Sequence, residues 1–558
     1  MAAESYARGA TEPALIDATI GDFFDAMVAR QPDALALVSR HEGQRFTYRE
    51  LQAESNRLAS ALLKTGLVPG DRIGIWSHNN VAWVLMQIAT AKAGLVLVNI
   101  NPAYRTSEVE YALNKVGCKA LVTMPRFKTS DYLGMLRELG PQKLPQLQAI
   151  YWIDTPGQGE SQDREEAGMT RFSTLLVQGD PLDARVAEVQ QGLNATDPIN
   201  IQFTSGTTGF PKGATLTHRN ILNNGFFIGE CMQLTPADKL CIPVPMYHCF
   251  GMVLGNLACL THGSAIVYPN DGFDALTVLE TVQAERCTGL HGVPTMFIAE
   301  LDHPRFTEFD LSSLRTGIMA GTACPIEVMK RVVEQMHLSQ ITIAYGMTET
   351  SPVSCQSSTT TPLDKRVTTV GTVQPHIEIK IVDPESGATV PRGQSGEFCT
   401  RGYSVMHGYW GDEPRTREAI DTDGWMHTGD LAVMDAEGYV NIVGRIKDLV
   451  IRGGENIYPR EIEEFLYRHP AVQDVQVVGL PDKRYGEELC AWIIAKPGQT
   501  VTADEIRDFC KGQIAHYKVP KYIQFVTAFP MTVTGKIQKF KIRDEMKTQL
   551  GLDEEKTA

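Results

Sequence analysis

Apolar positions along the chain recur in two rhythms that alternate for most of its length. Leu51, Leu58 and Leu62 share one face at helical spacing between Thr47 and Gly66, which predicts an amphipathic helix. Thr47-Tyr48-Arg49-Glu50 has the spacing of a capping box at its start. Val68-Pro69-Gly70-Asp71 then makes a turn, residues 72–76 read as a strand, and a further helix and strand lead to Asn101-Pro102. Repetition of this unit predicts an α/β fold with substantial parallel sheet. Residues 81–100 are apolar but contain Gln87, Lys92 and Gly94, and residues 251–269 are interrupted by His262, Gly263 and Ser264. Neither run offers the roughly 20 apolar residues of a membrane helix, so buried helix-turn-strand units are expected and no transmembrane segment.

The rhythm changes in the second half. Short alternating segments such as 377–382 lie among Pro- and Gly-rich loops over 371–430, which predicts a β-rich subdomain. From about residue 446 the pattern reads as a small α+β unit: a helix over 459–468, a strand over 472–478, a helix capped at Thr502-Ala503-Asp504-Glu505 and a strand over 522–526. With 558 residues the chain exceeds one ordinary domain. The expected division is a large domain over 1–444 and a small one over 445–558, meeting at Gly444-Arg445-Ile446-Lys447-Asp448.

Composition narrows the classes. Hydrophobic residues make up 43% and charged residues 21%, a balance that supports packed cores rather than disorder. The net charge is −14, from 52 basic and 66 acidic side chains, so no nucleic-acid partner is expected. The eleven cysteines form no Cys-x-x-Cys pair, and no His cluster has zinc-ligand spacing. Reduced thiols and the lack of an apolar run near the N-terminus point to a cytoplasmic location rather than secretion.

The sharpest local feature is Thr204-Ser205-Gly206-Thr207-Thr208-Gly209-Phe210-Pro211-Lys212-Gly213, which follows an apolar run over 199–203. Its glycines permit a tight turn with N–H groups facing a ligand, four hydroxyl side chains add donors, and Lys212 adds a cation. That set suits the phosphates of a nucleotide. It is not a Walker A loop, because Phe210 and Pro211 separate Gly209 from Lys212, and Gly213 stands where Ser or Thr would hold Mg2+.

This segment resembles the phosphate loop of the AMP-binding, or adenylate-forming, superfamily. Four further motifs match it in order: Tyr345-Gly346-Met347-Thr348-Glu349; Thr428-Gly429-Asp430; Gly444 to Asp448 running on to Gly453-Gly454-Glu455-Asn456; and Thr534-Gly535-Lys536. The resemblance covers essentially the whole chain, and it is strongest to the medium-chain fatty acyl-CoA synthetase branch. It implies an ATP-dependent ligase that makes an acyl-adenylate and pyrophosphate, then acyl-CoA and AMP, from medium- to long-chain fatty acids, with ATP, Mg2+ and coenzyme A as cofactors. On this resemblance Glu349 and Thr204 hold Mg2+, Asp430 and Arg445 bind the ribose, Tyr345, Gly321 and Thr322 lie beside the adenine, and Lys536 serves adenylation. Lys447 falls at the hinge of a mobile C-terminal domain, and Gly453 and Gly454 line the approach of the thiol.

Tyr247-His248-Cys249-Phe250-Gly251-Met252 resembles the family segment beside the carboxylate and acyl pocket, with His248 near the reacting carboxylate. Tyr247, Phe250, Gly251 and Gly317 are the expected pocket residues. With Gly255, Met252, Val293 and Met319 they make an apolar set that suits a fatty acid better than an amino acid. An aryl-CoA ligase of the same superfamily is the neighbouring alternative, and a non-catalytic adenylate sensor is the alternative from another class. A sensor would be expected to lose Lys536, Glu349 or Asp430, and all three are present.

Overall fold

A computed structural model describes residues 3–127, 129–154, 168–204, 211–322, 324–452, 455–511, 513–531 and 537–552. Two large mixed sheets and a five-stranded antiparallel sheet account for the strands up to Arg445 apart from the short pair Arg126–Phe127 and Ser130–Asp131, and a fourth sheet begins at Val450. The α/β class read from the sequence is what the chain adopts.

The first large sheet has eight strands. Its centre is parallel, with Arg72–Trp76 between Cys118–Thr123 and Val96–Asn99, and Pro198–Thr204 follows on the Val96–Asn99 side. Lys212–Thr217 then runs antiparallel to Pro198–Thr204, so that Lys212 stands directly opposite Thr204 across the ladder. The second sheet has nine strands and a parallel core running through Gln340–Gly346, Thr316–Met319, Gly289–Gly292, Lys239–Cys241, Ala265–Tyr268 and Leu35–Ser39. Parallel strands of this kind need cover on both faces, which explains their continuous apolar runs.

The helix Val81–Ala93 shows how local signals and packing agree. Asn80 caps it by accepting from the Trp83 N–H, and Gly94 ends it in the left-handed region at φ 66°. All thirteen of its residues are buried. Lys92, 1% exposed, is tolerated there because its Nζ donates to Asp25 Oδ1 at 2.5 Å. The helix at Tyr48–Lys64 carries the expected Thr47–Glu50 capping box, and Leu51, Leu58 and Leu62 are fully buried. Among the described residues no helix is long and apolar enough to cross a membrane.

The β-rich region is an antiparallel sheet of Tyr6–Arg8, Ile377–Val382, Ser395–Gly402, Met426–Met434 and Val440–Arg445. Its edge strand comes from the far N-terminus, a pairing no local pattern announces. Residues 446–449 leave this sheet as a short turn, with Lys447 exposed. Beyond it, Val472–Asp482 and Gly486–Ala495 form a long hairpin, and the parallel strand Tyr522–Phe525 joins Gly486–Ala495. The helix expected over 459–468 spans Pro459–Leu466, opened by proline in its first turn. The strand expected over 472–478 runs on to Asp482 because its hairpin partner continues beside it.

Candidate active site

The hairpin made by Pro198–Thr204 and Lys212–Thr217 holds both ends of the glycine-rich segment. Ser205, Gly206, Thr207, Thr208 and Gly209 lie outside the described residues. Thr204 and Lys212 are described, and each makes a polar contact that points to the same place. Thr204 Oγ1 donates to Glu349 Oε1 at 3.0 Å, and Lys212 Nζ donates to Tyr409 OH at 2.9 Å. Tyr409 OH in turn donates to Glu349 Oε1 at 2.9 Å. Tyr409 sits on Gly408–Tyr409, a short strand paired with Lys212–Thr217, and Lys212 Nζ also lies 4.2 Å from its ring centroid. Burial, followed by the Glu349 carboxylate, pushes its phenol well above the ordinary value, so it stays a donor.

Glu349 is 4% exposed and lies in the turn Thr348–Thr350 after the strand Gln340–Gly346. Both of its side-chain hydrogen bonds fall on Oε1, and Oε2 accepts none among the described residues. A buried hard oxygen held by hydroxyl donors, with its twin left for another partner, fits Mg2+, which takes one or two carboxylates and fills its remaining positions with phosphate and water. Gly346 is exposed and Thr348 buried in the same segment.

Four residues before Glu349, Tyr345 donates from its hydroxyl to Asp430 Oδ2 at 2.7 Å. Its ring packs edge-on to Phe398 at 5.0 Å, and burial together with Asp430 raises its phenol well above the usual value. Arg445 Nε approaches Asp430 Oδ1 to 3.0 Å, as their direct pairing across the antiparallel ladder requires. Asp430, Tyr345 and Arg445 therefore form one cluster of contacts.

Asp430 owes its position to an irregularity. Between the pairs Glu397↔Leu431 and Cys399↔His427, Phe398 alone stands opposite Thr428, Gly429 and Asp430. Asp430 closes this bulge and pairs on its other side with Arg445. Gly429 adopts φ 70°, which explains glycine there although a Cβ would meet nothing.

The segment expected beside the acyl pocket runs into a π-helix, Phe250–Leu257, every residue of which is buried. Such helices are rare and gather at functional sites. His248 Nδ1 accepts from the Phe250 N–H at 3.1 Å. Tyr247 is 8% exposed, and its hydroxyl has no hydrogen-bond partner among the described residues. A Cβ on Gly321, whose φ is 92°, would lie 3.1 Å from Val293 Cγ1 and 4.0 Å from Phe250 Cδ1, so the turn that holds Gly321 and Thr322 adjoins the π-helix. Gly251 and Gly317 are small for reasons of packing as well. A Cβ on Gly317 would fall 1.9 Å from the Leu290 carbonyl, and one on Gly251 2.5 Å from the Pro245 carbonyl. His291 holds this segment in place, with Nε2 2.9 Å from the Leu254 carbonyl and Nδ1 accepting from the Ile318 N–H. Burial pushes its pKa down to about 4, so the ring is neutral.

Lys536, Gly453 and Gly454 lie outside the described residues. Two groups that sequence reasoning missed belong to the site: Tyr409, and Glu397, whose carboxylate meets the Thr428–Asp430 bulge. Neither stands in a motif whose spacing points at nucleotide chemistry.

The AMP-binding enzyme family matches residues 24–410, well over half of the chain, and the C-terminal domain of AMP-binding enzymes matches residues 461–536. The chain belongs to the AMP-binding enzyme family. As a member it is an AMP-forming acid–thiol ligase, working with ATP, Mg2+ and coenzyme A. The putative acyl-CoA synthetase YngI of Bacillus subtilis is 48% identical over 544 residues, covering 95% of this chain and 97% of its own. The mitochondrial medium-chain acyl-CoA ligase ACSF2 of Homo sapiens is 44% identical over 566 residues, covering 98% and 91%. Among solved structures, the anthranilate CoA ligase AuaEII with anthranoyl-AMP superposes with a TM-score of 0.86 at 27% identity, over 97% of this chain and 99% of that one. ATP-bound MatB from Rhodopseudomonas palustris gives 0.82 at 29% identity, over 94% and 99%.

Proposed function

We propose that the enzyme activates a straight-chain fatty acid of medium length as its acyl-adenylate and passes the acyl group to coenzyme A, with the residues above in named roles. One observation carries the assignment of the site. Contacts run unbroken from Arg445 to Asp430 and Tyr345, along the backbone to Glu349, and on to Thr204, Tyr409 and Lys212. One end offers a carboxylate to sugar hydroxyls, and the other offers hydroxyl donors and a cation to phosphates.

In the first step a carboxylate oxygen of the acid attacks the α-phosphorus of ATP, the bond to the β-phosphate breaks, and pyrophosphate leaves. Two anions meeting at about 4 Å with an effective dielectric near 20 cost roughly 4 kcal/mol. Lys212 and Lys536 offset this with positive charge at the reacting oxygens. Mg2+ held by Glu349 and Thr204 would neutralise phosphate oxygens. In the second step the coenzyme A sulfur attacks the acyl carbonyl carbon, the bond to AMP breaks, and the thiol proton passes to solvent. AMP is a good leaving group, so no protein nucleophile is required. The division at residues 444/445 makes 446–449 the joint about which the C-terminal unit turns between steps, with Lys447 at its centre and Gly453 and Gly454 admitting the thiol.

The acid is inferred from the buried apolar segment at 250–257 and from the medium-chain ligases among the relatives. A cytoplasmic setting fits eleven cysteines, ten of them buried, that form no disulfide among the described residues.

Replacing Lys536 with alanine should abolish acid-dependent pyrophosphate release while leaving thioester formation from supplied acyl-adenylate largely intact. Equal loss of both half-reactions would defeat the two-step assignment. In a screen of AMP release with ATP and coenzyme A, straight-chain acids of medium length should outrun acetate, amino acids and aromatic acids. Faster turnover of an aromatic acid would overturn the choice of substrate.

A further inference from the structure

The bulge that presents Asp430 leaves a backbone donor, Gly429 N–H, without a ladder partner. Glu397 fills the gap from the neighbouring strand. Its Oε1 accepts from Gly429 N at 3.0 Å, and its Oε2 lies 2.9 Å from His427 Nδ1. The same carboxylate thus grips the bulge at two points, on either side of Thr428. Thr428 completes the clasp from within, with Oγ1 donating to the Phe398 carbonyl at 2.7 Å and accepting from Asp430 N at 3.1 Å. On the far side of the His427 ring, Nε2 stands 3.6 Å from Asp421 Oδ2. The side chain of Glu397 is 12% exposed, so its bonds are little diluted by water.

We infer that Glu397 is a positioning residue for nucleotide selection: by clasping Gly429 and His427 it fixes the bulge that aims Asp430 at the ribose hydroxyls of ATP. Glu397 touches no substrate and acts only through the aim of Asp430. A carboxylate is suited to this because it accepts two hydrogen bonds at once from a fixed direction. A misaimed Asp430 would still leave the phosphate-binding end of the site intact, since Thr204, Glu349, Tyr409 and Lys212 hold one another through separate contacts. The inference rests on the ribose role proposed for Asp430.

The test compares ATP with 3′-deoxyATP as substrates of the full-length enzyme, each at saturating acid and coenzyme A. The wild type should prefer ATP by roughly 10- to 100-fold in kcat/KM, the range for hydrogen bonds to a charged group. Glu397→Ala should raise KM for ATP and cut that preference to about threefold or less, with kcat for 3′-deoxyATP changed little. Glu397→Gln retains an acceptor for Gly429 N–H and should restore most of the preference. Glu397→Asp, shorter by one methylene, should behave as the alanine variant does and serves in its place if that protein does not accumulate. A wild type that uses both nucleotides equally removes the ribose role itself. A wild type that discriminates, with a Glu397→Ala or Glu397→Asp variant that discriminates equally, overturns the positioning role alone.

Discussion

At the scale of single residues, the phosphate end of the site turns on one hydroxyl. Tyr409 OH takes a proton bond from Lys212 and gives one to Glu349, so it sets the distance between a cation and the carboxylate meant for Mg2+. Tyr409→Phe deletes this bridge but keeps the ring beneath Lys212. Acid-dependent exchange of pyrophosphate into ATP should fall by about 10-fold or more, because the lost bonds involve charged partners. The thermal midpoint should move by only a few degrees, and exchange at the wild-type rate would detach Tyr409 from the phosphate site. Thr204, Lys212, Glu349, Asp430 and Arg445 were legible in the sequence because each stands in a short motif whose residue types match its chemistry. Tyr409 and Glu397 were not, because their partners lie 60 and 32 residues away in sequence and only the sheet pairing brings them close.

At the scale of elements, helix ends were readable and strand extents less so. Thr47 and Thr502, the two caps expected from the sequence, each accept a hydrogen bond from the first turn of the helix they cap, a signal confined to four residues. The bulge at Thr428–Asp430 and the π-helix at Phe250–Leu257 depart from the two regular periods, so periodicity alone could not announce them. One strand carries a measurable cost. Asp474, on Val472–Asp482, accepts from Tyr467 OH and from the Val475 N–H, yet burial raises its pKa to about 6 from 3.8. Folding therefore favours the protonated acid. The stability it contributes is fully present below pH about 4 and lost as pH rises through about 6, a window worth at most about 3 kcal/mol. Asp474→Asn should accordingly melt higher than the wild type at pH 8, and the difference should close towards pH 4. A difference independent of pH would mean that the carboxyl group titrates alike in the folded and unfolded chain.

At the scale of the whole molecule, the C-terminal unit makes a polar contact with the larger body among the described residues. Arg460 Nη1 donates to the Ile442 carbonyl at 2.6 Å. Arg460 sits on the helix Pro459–Leu466, so this contact is carried by the first turn of that element. If the unit reorients between half-reactions, Arg460→Ala disfavours one orientation and thereby favours the other. Adenylation and thioester formation, measured separately, should then change in opposite directions by about 2- to 10-fold each. A parallel loss of both would make the contact merely structural. The order of the sheets was not legible beforehand, because the antiparallel sheet borrows Tyr6–Arg8 from some 370 residues away in the chain.

Tyr345 and Glu349 are only four residues apart, yet one touches the group assigned to the sugar and the other the group assigned to the phosphates. That stretch behaves as a caliper whose jaws are set by backbone geometry. With the roles proposed for Asp430 and Glu349, it would gauge the nucleotide from its ribose outward and leave the phosphorus nearest the sugar within reach of the acid. On those roles, regiochemistry, AMP rather than ADP as the spent nucleotide, follows from the spacing between a strand end and the turn after it.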